Sequence, residues 1–362
     1  MASSHDHDHT YLQLLKTILL EGVNKPAARE NMPGSLSLFG YQAKYNMRDG
    51  FPLLTTKKMH FKGIVAELLW FLRGDTNIKY LIDKGTNIWN EDAYNYYVTN
   101  YKLAKEDLTK EELEQPVRLE DEPLSFEAFI SAVKDNTPAP KALDFYGYRY
   151  GDCGFQYGKV WRAWEKTDDS GVTSYVDQVL NVLYSLYHTP ESRRHVITAT
   201  DPAHDQDLAL YWCHSMFQFN TFIDKNGQRN IDVNLTQRSC DSFLDGPYNL
   251  ASYSLMLHIF GNILNYKPNT FIHSFGDAHI YDNHHEAVAE QLKRDPYTPP
   301  TLQFSRSAQA IFSEIKRRLS LKSLESVSLT SLISQLKVED FILVGYQSHP
   351  AIKAELSTGM KK

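Results

Sequence analysis

Cys213 stands in the run Leu210-Tyr211-Trp212-Cys213-His214, and the run Gln237-Arg238-Ser239-Cys240-Asp241 follows downstream. A thiol with an arginine brought beside it by the fold can act as a nucleophile, because positive charge lowers its pKa and populates the thiolate. Arg193, Arg194 and Arg238 are candidate anion ligands, since a guanidinium fork matches phosphate geometry bidentately. Ser239 adds a hydroxyl donor beside the last of them. Surface ion pairing is the alternative reading for each arginine.

Glu67 lies in the most apolar helical stretch of the chain. Burial there would raise its carboxyl pKa and poise it for proton transfer; a place on the polar edge of an amphipathic helix is the plainer reading. Asn249 follows Gly246-Pro247 at the start of a helical pattern. It either caps that helix or, carrying a donor and an acceptor together, reads the edge of a base. His214 adjoins Cys213, but neighbours on a strand point to opposite faces, which argues against a Cys-His pair. His273, His279, His284 and His285 lack the cysteine or carboxylate spacing of a zinc site, so no metal is expected. His5, His7 and His9 could chelate a metal, although a frayed terminus is the preferred reading.

The elements that must position these groups have to be read from a chain of 362 residues, 42% hydrophobic, with a net charge of −6. That length supports a large core. The mild acidity argues against nucleic acid as the main partner. Three cysteines in so long a chain give no disulfide framework and suggest a reducing cytoplasm. No apolar run reaches membrane-spanning length, and no signal peptide is expected.

Apolar periodicity predicts helices over 11–21, 60–73, 176–186, 250–266 and 282–294. Alternation predicts strands within 34–57 and over 215–223, 231–236, 270–275 and 338–346. Residues 95–150, rich in Glu, Lys and Pro, read as an inserted small helical subdomain, with Phe126, Phe129, Ile130 and Val133 at helical spacing. Residues 306–335 read as a second, peripheral insertion. The expected division is therefore a catalytic body over 10–94 and 151–356, with tails at 1–9 and 357–362. Strands and helices alternate without a regular βαβ cadence, which favours an α+β fold with a large mixed sheet flanked by helices.

The strings LSLFG at 36–40, FPLLTTKK at 51–58, ELLWFLRGDTNIKYL at 67–81, YGKVWRAW at 157–164, QRSCD at 237–241, NLASY at 249–253, GDAHIY at 276–281 and HPAIKAEL at 349–356, in this order, resemble the thymidylate synthase family. The resemblance covers about residues 10 to 356. It implies a homodimer that takes dUMP and methylenetetrahydrofolate and uses no metal. Cys213 would add to carbon six of uracil, making carbon five a nucleophile toward the folate methylene. Loss of the carbon-five proton, release of tetrahydrofolate and hydride transfer would then give dTMP and dihydrofolate.

The same resemblance assigns roles. Arg238 would hold phosphate and favour the Cys213 thiolate, with Ser239 assisting. Arg193 and Arg194 would reach phosphate from the other subunit. Asn249 would read the uracil edge, and His279 and Tyr281 the ribose hydroxyl. Glu67, with Tyr157 nearby, would order water and move protons. Asp241 would hold the pterin, and Ile88, Trp89, Leu244 and Tyr248 would form its apolar surround.

The chain departs from the family pattern in several places. In the phosphate loop Glu30 takes the position of an arginine, and Arg29 is the neighbouring substitute. Tyr211-Trp212 precede the cysteine, Thr200-Asp201 precede Pro202, and Asp245-Gly246 stand beside the expected folate. If these changes admitted water, a related outcome, hydroxymethylation of dUMP, would follow. A nucleotide-binding protein without catalysis is the third reading.

Overall fold

A computed structural model describes residues 7–27, 32–107, 122–140, 143 and 147–355. In chain order, the helices are α1 (His7–Glu21), α2 (Phe61–Leu72), α3 (Lys79–Asp83), α4 (Asn90–Asp107), α5 (Phe126–Lys134), α6 (Tyr157–Arg162), α7 (Gln178–His188), α8 (Asp245–Leu264), α9 (His285–Gln291), α10 (Arg306–Ser320) and α11 (Ser326–Ser334). The strands are β1 (Val23–Lys25), β2 (Ser35–Asn46), β3 (Trp164–Thr167), β4 (Thr173–Val176), β5 (Val196–Thr198), β6 (His214–Ile223), β7 (Arg229–Asp241), β8 (Lys267–Tyr281), β9 (Thr301–Phe304) and β10 (Phe341–Val344).

The main sheet has the order β1-β2-β8-β7-β6-β5. Its central pair, β7 and β8, is parallel, while the flanking pairs are antiparallel. Parallel neighbours need a crossover, and α8 supplies it. That helix is apolar over most of its circumference, because it sits between the sheet and further helices and is buried from Gly246 to Leu264 with few gaps. It ends at Asn265 in the left-handed conformation (φ 62°). The mixed sheet with flanking helices is the α+β arrangement expected.

Four expectations need correction. Residues 7–9 are not a frayed tail: α1 begins at His7, and His7 and Asp8 are buried. The Asp8 carboxylate accepts from the backbone N–H groups of Thr55 (2.9 Å) and Thr56 (2.9 Å) and from both threonine hydroxyls. A polar residue can lie inside when every lone pair finds a donor, which hydropathy does not register.

Residues 306–335 are not peripheral. α10 buries Ala308, Ile311, Phe312, Ile315 and Leu319 and packs on α8 and α7. α11 is tied in by Arg162. That buried guanidinium pairs with Asp177 at 2.8 Å and donates to the Ser326 carbonyl (3.2 Å) and Thr330 Oγ1 (3.0 Å). Arg162→Ala leaves Asp177 buried without its cation. It is expected to cost about 3–5 kcal/mol, read as a lower urea midpoint.

The boundary placed at residue 95 falls inside α4, whose Tyr97 packs on Tyr101, Phe129 and Tyr150. α5 starts after Ser125, which caps it by accepting from Ala128 N–H at 3.3 Å. Finally, β7 and β8 run well beyond the expected 231–236 and 270–275. Their extra length carries Gln237, Arg238, Ser239, Asp241, Asp277 and His279, polar residues that break the apolar alternation because they line the site described next.

Candidate active site

The sheet is irregular along one row that crosses four strands. β6 shifts register between His214 and Met216. Gly40 in β2 has a positive φ of 82°. On β8, a Cβ added at Gly276 would lie 2.6 Å from the Arg238 carbonyl oxygen of β7. Only a residue without a side chain permits that approach of β8 to β7 beside Arg238.

Cys213 immediately precedes β6. Its Sγ lies 3.8 Å from Arg238 Nη2, and its carbonyl accepts from the Arg238 backbone N–H at 2.8 Å. The guanidinium is held by the carbonyls of Trp212 (2.6 Å from Nε) and Tyr211 (2.9 Å from Nη2), and it lies over the Tyr211 ring at 4.6 Å. The departures Tyr211 and Trp212 thus form the cradle of the arginine. Trp212 is itself fully buried, its indole N–H donating to Phe155 O at 2.9 Å. Cys153 and Cys240 are buried, and desolvation first, then nearby carboxylates, push both thiols well above their ordinary range. Cys213 alone of the three cysteines is half-buried beside a cation.

Tyr157, at the start of α6, accepts from the backbone N–H groups of Cys213 (2.8 Å) and His214 (3.0 Å). This fixes the turn that presents the sulfur. The His214 ring stacks on Tyr157, centroids 4.9 Å apart. Burial pushes its pKa down to about 4, against a smaller opposing pull from the Asn249 side chain, so it is neutral at pH 7. No Cys213–His214 acid–base pair is formed, as strand geometry implies. Asn249 is buried inside α8, after Leu244 at the N-cap, so the capping reading is set aside.

On α2, Glu67 Oε1 accepts from the Trp89 indole N–H at 2.7 Å. The residue keeps some exposure to the cleft. Enclosure of its carboxyl nonetheless pushes the pKa up to about 7, opposed by the Trp89 hydrogen bond. The polar-edge alternative fails because α2 is buried on nearly every side.

Asp241 ends β7, and its Oδ1 accepts from Phe243 N–H (2.9 Å) and Leu244 N–H (3.1 Å), turning the chain into α8. Leu244 at the N-cap of α8 and Tyr248 on its first turn are half-buried, Trp89 is buried, and Ile88 is exposed. His279 and Tyr281 share one face of β8, rings 4.9 Å apart. His279 Nδ1 meets Asp277 Oδ1 at 3.1 Å. Burial works against the Asp277 carboxylate, but bonds from His279, Lys25 and Ser37 hold it well below its usual range. Ser239 pairs in register with Asp277.

Arg193 and Arg194 are exposed in the turn before β5. Arg29 lies outside the described residues. Lys57 and Asp245 received no role from the sequence. Buried Lys57 donates to the Phe243 carbonyl and lies 3.8 Å over the Phe243 ring. Desolvation lowers it to about 7 against the pull of Asp241 and Asp245. Its signal was present in FPLLTTKK, a lysine within an apolar segment. Among the described residues no group of His, Cys, Asp and Glu could hold a metal ion, and no helix is long and apolar enough to cross a membrane.

A thiol beside a guanidinium, an enclosed carboxyl of raised pKa and an apolar wall make a site for nucleophilic addition to a small anionic substrate. The chain matches the family model described as thymidylate synthase over residues 9–358. It is 38% identical to the thymidylate synthase of Staphylococcus haemolyticus, over 90% of this chain and 91% of that protein. It is 36% identical to that of Listeria innocua and 38% to that of Mycoplasma mobile, in each case over 96% of this chain and 99% of the relative. The fold, the row of chemistry across the sheet and these matches over nearly the full length lead to one conclusion: the chain belongs to the thymidylate synthase family.

Proposed function

We propose that the protein methylates dUMP to dTMP, with methylenetetrahydrofolate supplying both the carbon and the hydride. The observation that carries this reading is Cys213 Sγ at 3.8 Å from Arg238, with Glu67 enclosed in the same cleft. Cys213 adds to uracil carbon six, and its later expulsion restores the ring. Arg238 stabilises the thiolate and, with Ser239, binds phosphate. Asn249, buried on α8, reads the uracil edge. His279 and Tyr281 bind the ribose hydroxyl. Glu67 and Tyr157 order water and move the carbon-five proton.

Asp241 keeps acceptor capacity beyond its two backbone bonds, so it can take donors from a pterin ring. Ile88, Trp89, Leu244 and Tyr248 suit the flat ring. The names of the relatives favour methylation over hydroxymethylation.

The working unit in this reading is a homodimer. β6 turns Phe217 and Phe219 inward and leaves Met216 and Phe222 exposed on the other face. Arg193 and Arg194, exposed before β5, would cross to the partner's phosphate, and Arg29 would join them. Three free cysteines suit a reducing compartment such as the cytoplasm.

The deciding experiment supplies dUMP and methylenetetrahydrofolate and identifies both products. dTMP with stoichiometric dihydrofolate is expected; hydroxymethyl-dUMP with tetrahydrofolate would overturn the reading. Light scattering is expected to give a dimer. Gly276→Ala, which forces β8 away from Arg238, is expected to raise the dUMP Kd at least about tenfold, measured by titration calorimetry.

A further inference from the structure

His284 has no part in the steps above, yet it lies where three parts of the cleft meet. It is fully buried. Its Nε2 is 2.8 Å from the carbonyl oxygen of Glu355, in the C-terminal segment. Its Nδ1 is 3.7 Å from Asp241 Oδ2 and has no hydrogen-bond partner. Phe243 and Tyr281 pack against the ring at 5.5 and 5.7 Å between centroids. Facing a carbonyl, Nε2 must carry a proton. A neutral ring would then turn the Nδ1 lone pair toward a carboxylate, whereas an imidazolium turns a donor toward it. Two acceptors on opposite sides therefore select the charged ring.

We propose that His284 is a positioning residue that ties the C-terminal segment to Asp241, so that seating of the segment and binding of the reduced folate reinforce each other. This rests on the reading of Asp241 as the pterin-binding carboxylate. Free energy coupled through one residue is reciprocal: whatever the seated segment adds to folate affinity, folate adds to seating. Asp241 from β7, Asp245 from α8 and Lys57 from the segment before α2 are the titratable groups around the ring, with desolvation and then Asp241 pushing Asp245 up to about 8. Burial disfavours the imidazolium and Lys57 opposes it, but Asp241 and the Glu355 carbonyl raise the pKa above its ordinary value. As pH rises through that pKa, the tie to Asp241 is lost.

The test compares wild type, His284→Ala and His284→Gln for dUMP affinity, for kcat and folate KM between about pH 6 and 9, and for hydrogen exchange over 349–355. His284→Ala is expected to raise the folate KM about tenfold, to leave dUMP affinity within about twofold and to speed exchange of the segment. His284→Gln can still donate to Glu355 but carries no charge. It is expected to restore protection of the segment while losing the rise of folate KM with pH. An unchanged folate KM in His284→Ala, or a wild-type pH profile in His284→Gln, overturns the proposal. Failure of the wild type to form dTMP overturns the underlying reading instead.

Discussion

Cys213→Ser is expected to lower kcat for dTMP formation by at least about 10⁴-fold while dUMP still binds. The physical reason is acidity. A guanidinium 3.8 Å from the sulfur can populate a thiolate, but a serine hydroxyl starts far too high in pKa for the same charge to ionise it. The side chain is nearly isosteric, and the backbone at this turn is fixed independently by Tyr157 and Arg238, so the loss should fall on chemistry and not on folding. Cys153→Ser and Cys240→Ser are the controls. Both thiols are buried and held protonated, so these changes should affect stability with little effect on kcat per folded molecule. Rapid-quench measurement of the covalent nucleotide adduct separates the cases: no adduct is expected for Cys213→Ser. Comparable loss from Cys240→Ser would remove Cys213 as the nucleophile.

Glu67→Gln is expected to cost about 10²–10³-fold in kcat, the size of a positioned proton-transfer group. Glutamine still accepts from Trp89 and fills the same space, so geometry is preserved and only titration is lost. The limb of the pH–rate profile near pH 7 should disappear with it, because that is where burial places the Glu67 carboxyl. The same shift has a signature in stability. Since the folded-state pKa is about 7 against an ordinary 4.5, the folded protein holds the proton more tightly throughout that window. Stability therefore falls as pH rises from about 4.5 to 7, by roughly 3 kcal/mol in all. Urea midpoints at pH 5 and pH 8 should converge in Glu67→Gln relative to wild type. A retained pH limb in the variant would assign that titration to another group, Asp245 being the acid that interacts with Glu67, its pKa raised to about 8 first by desolvation.

How much was legible follows from what each residue does in the fold. α2 and α8 were readable because long apolar helices need only burial, and periodicity records burial. Short strands such as β5 and β9 were not, because three or four residues give too little alternation. β7 and β8 were truncated for a different reason: where they enter the site, polar side chains replace apolar ones. Tyr211 and Trp212 looked like departures beside the nucleophile and prove to be the carbonyls and ring that hold Arg238. Asp8, placed in a tail, and Arg162, given no role, are buried anchors, each held by several hydrogen bonds.

The sequence by itself determined the inventory of the chemistry. One thiol near an arginine, a carboxylate within an apolar helix and an amide among helix-forming residues can be named from residue types, and their order along the chain carries the family resemblance. The tertiary structure decided which of these groups work together and in what ionic state. The distance from Cys213 to Arg238 exists only because β6 pairs with β7, where the Arg238 backbone N–H bonds the Cys213 carbonyl. The pKa of Glu67 rises only because other elements enclose its carboxyl. The charge on His284 is favoured only because a distant carbonyl and a distant carboxylate flank one ring. Distances and desolvation are properties of packing between segments far apart in the chain, and no local pattern of residues encodes them.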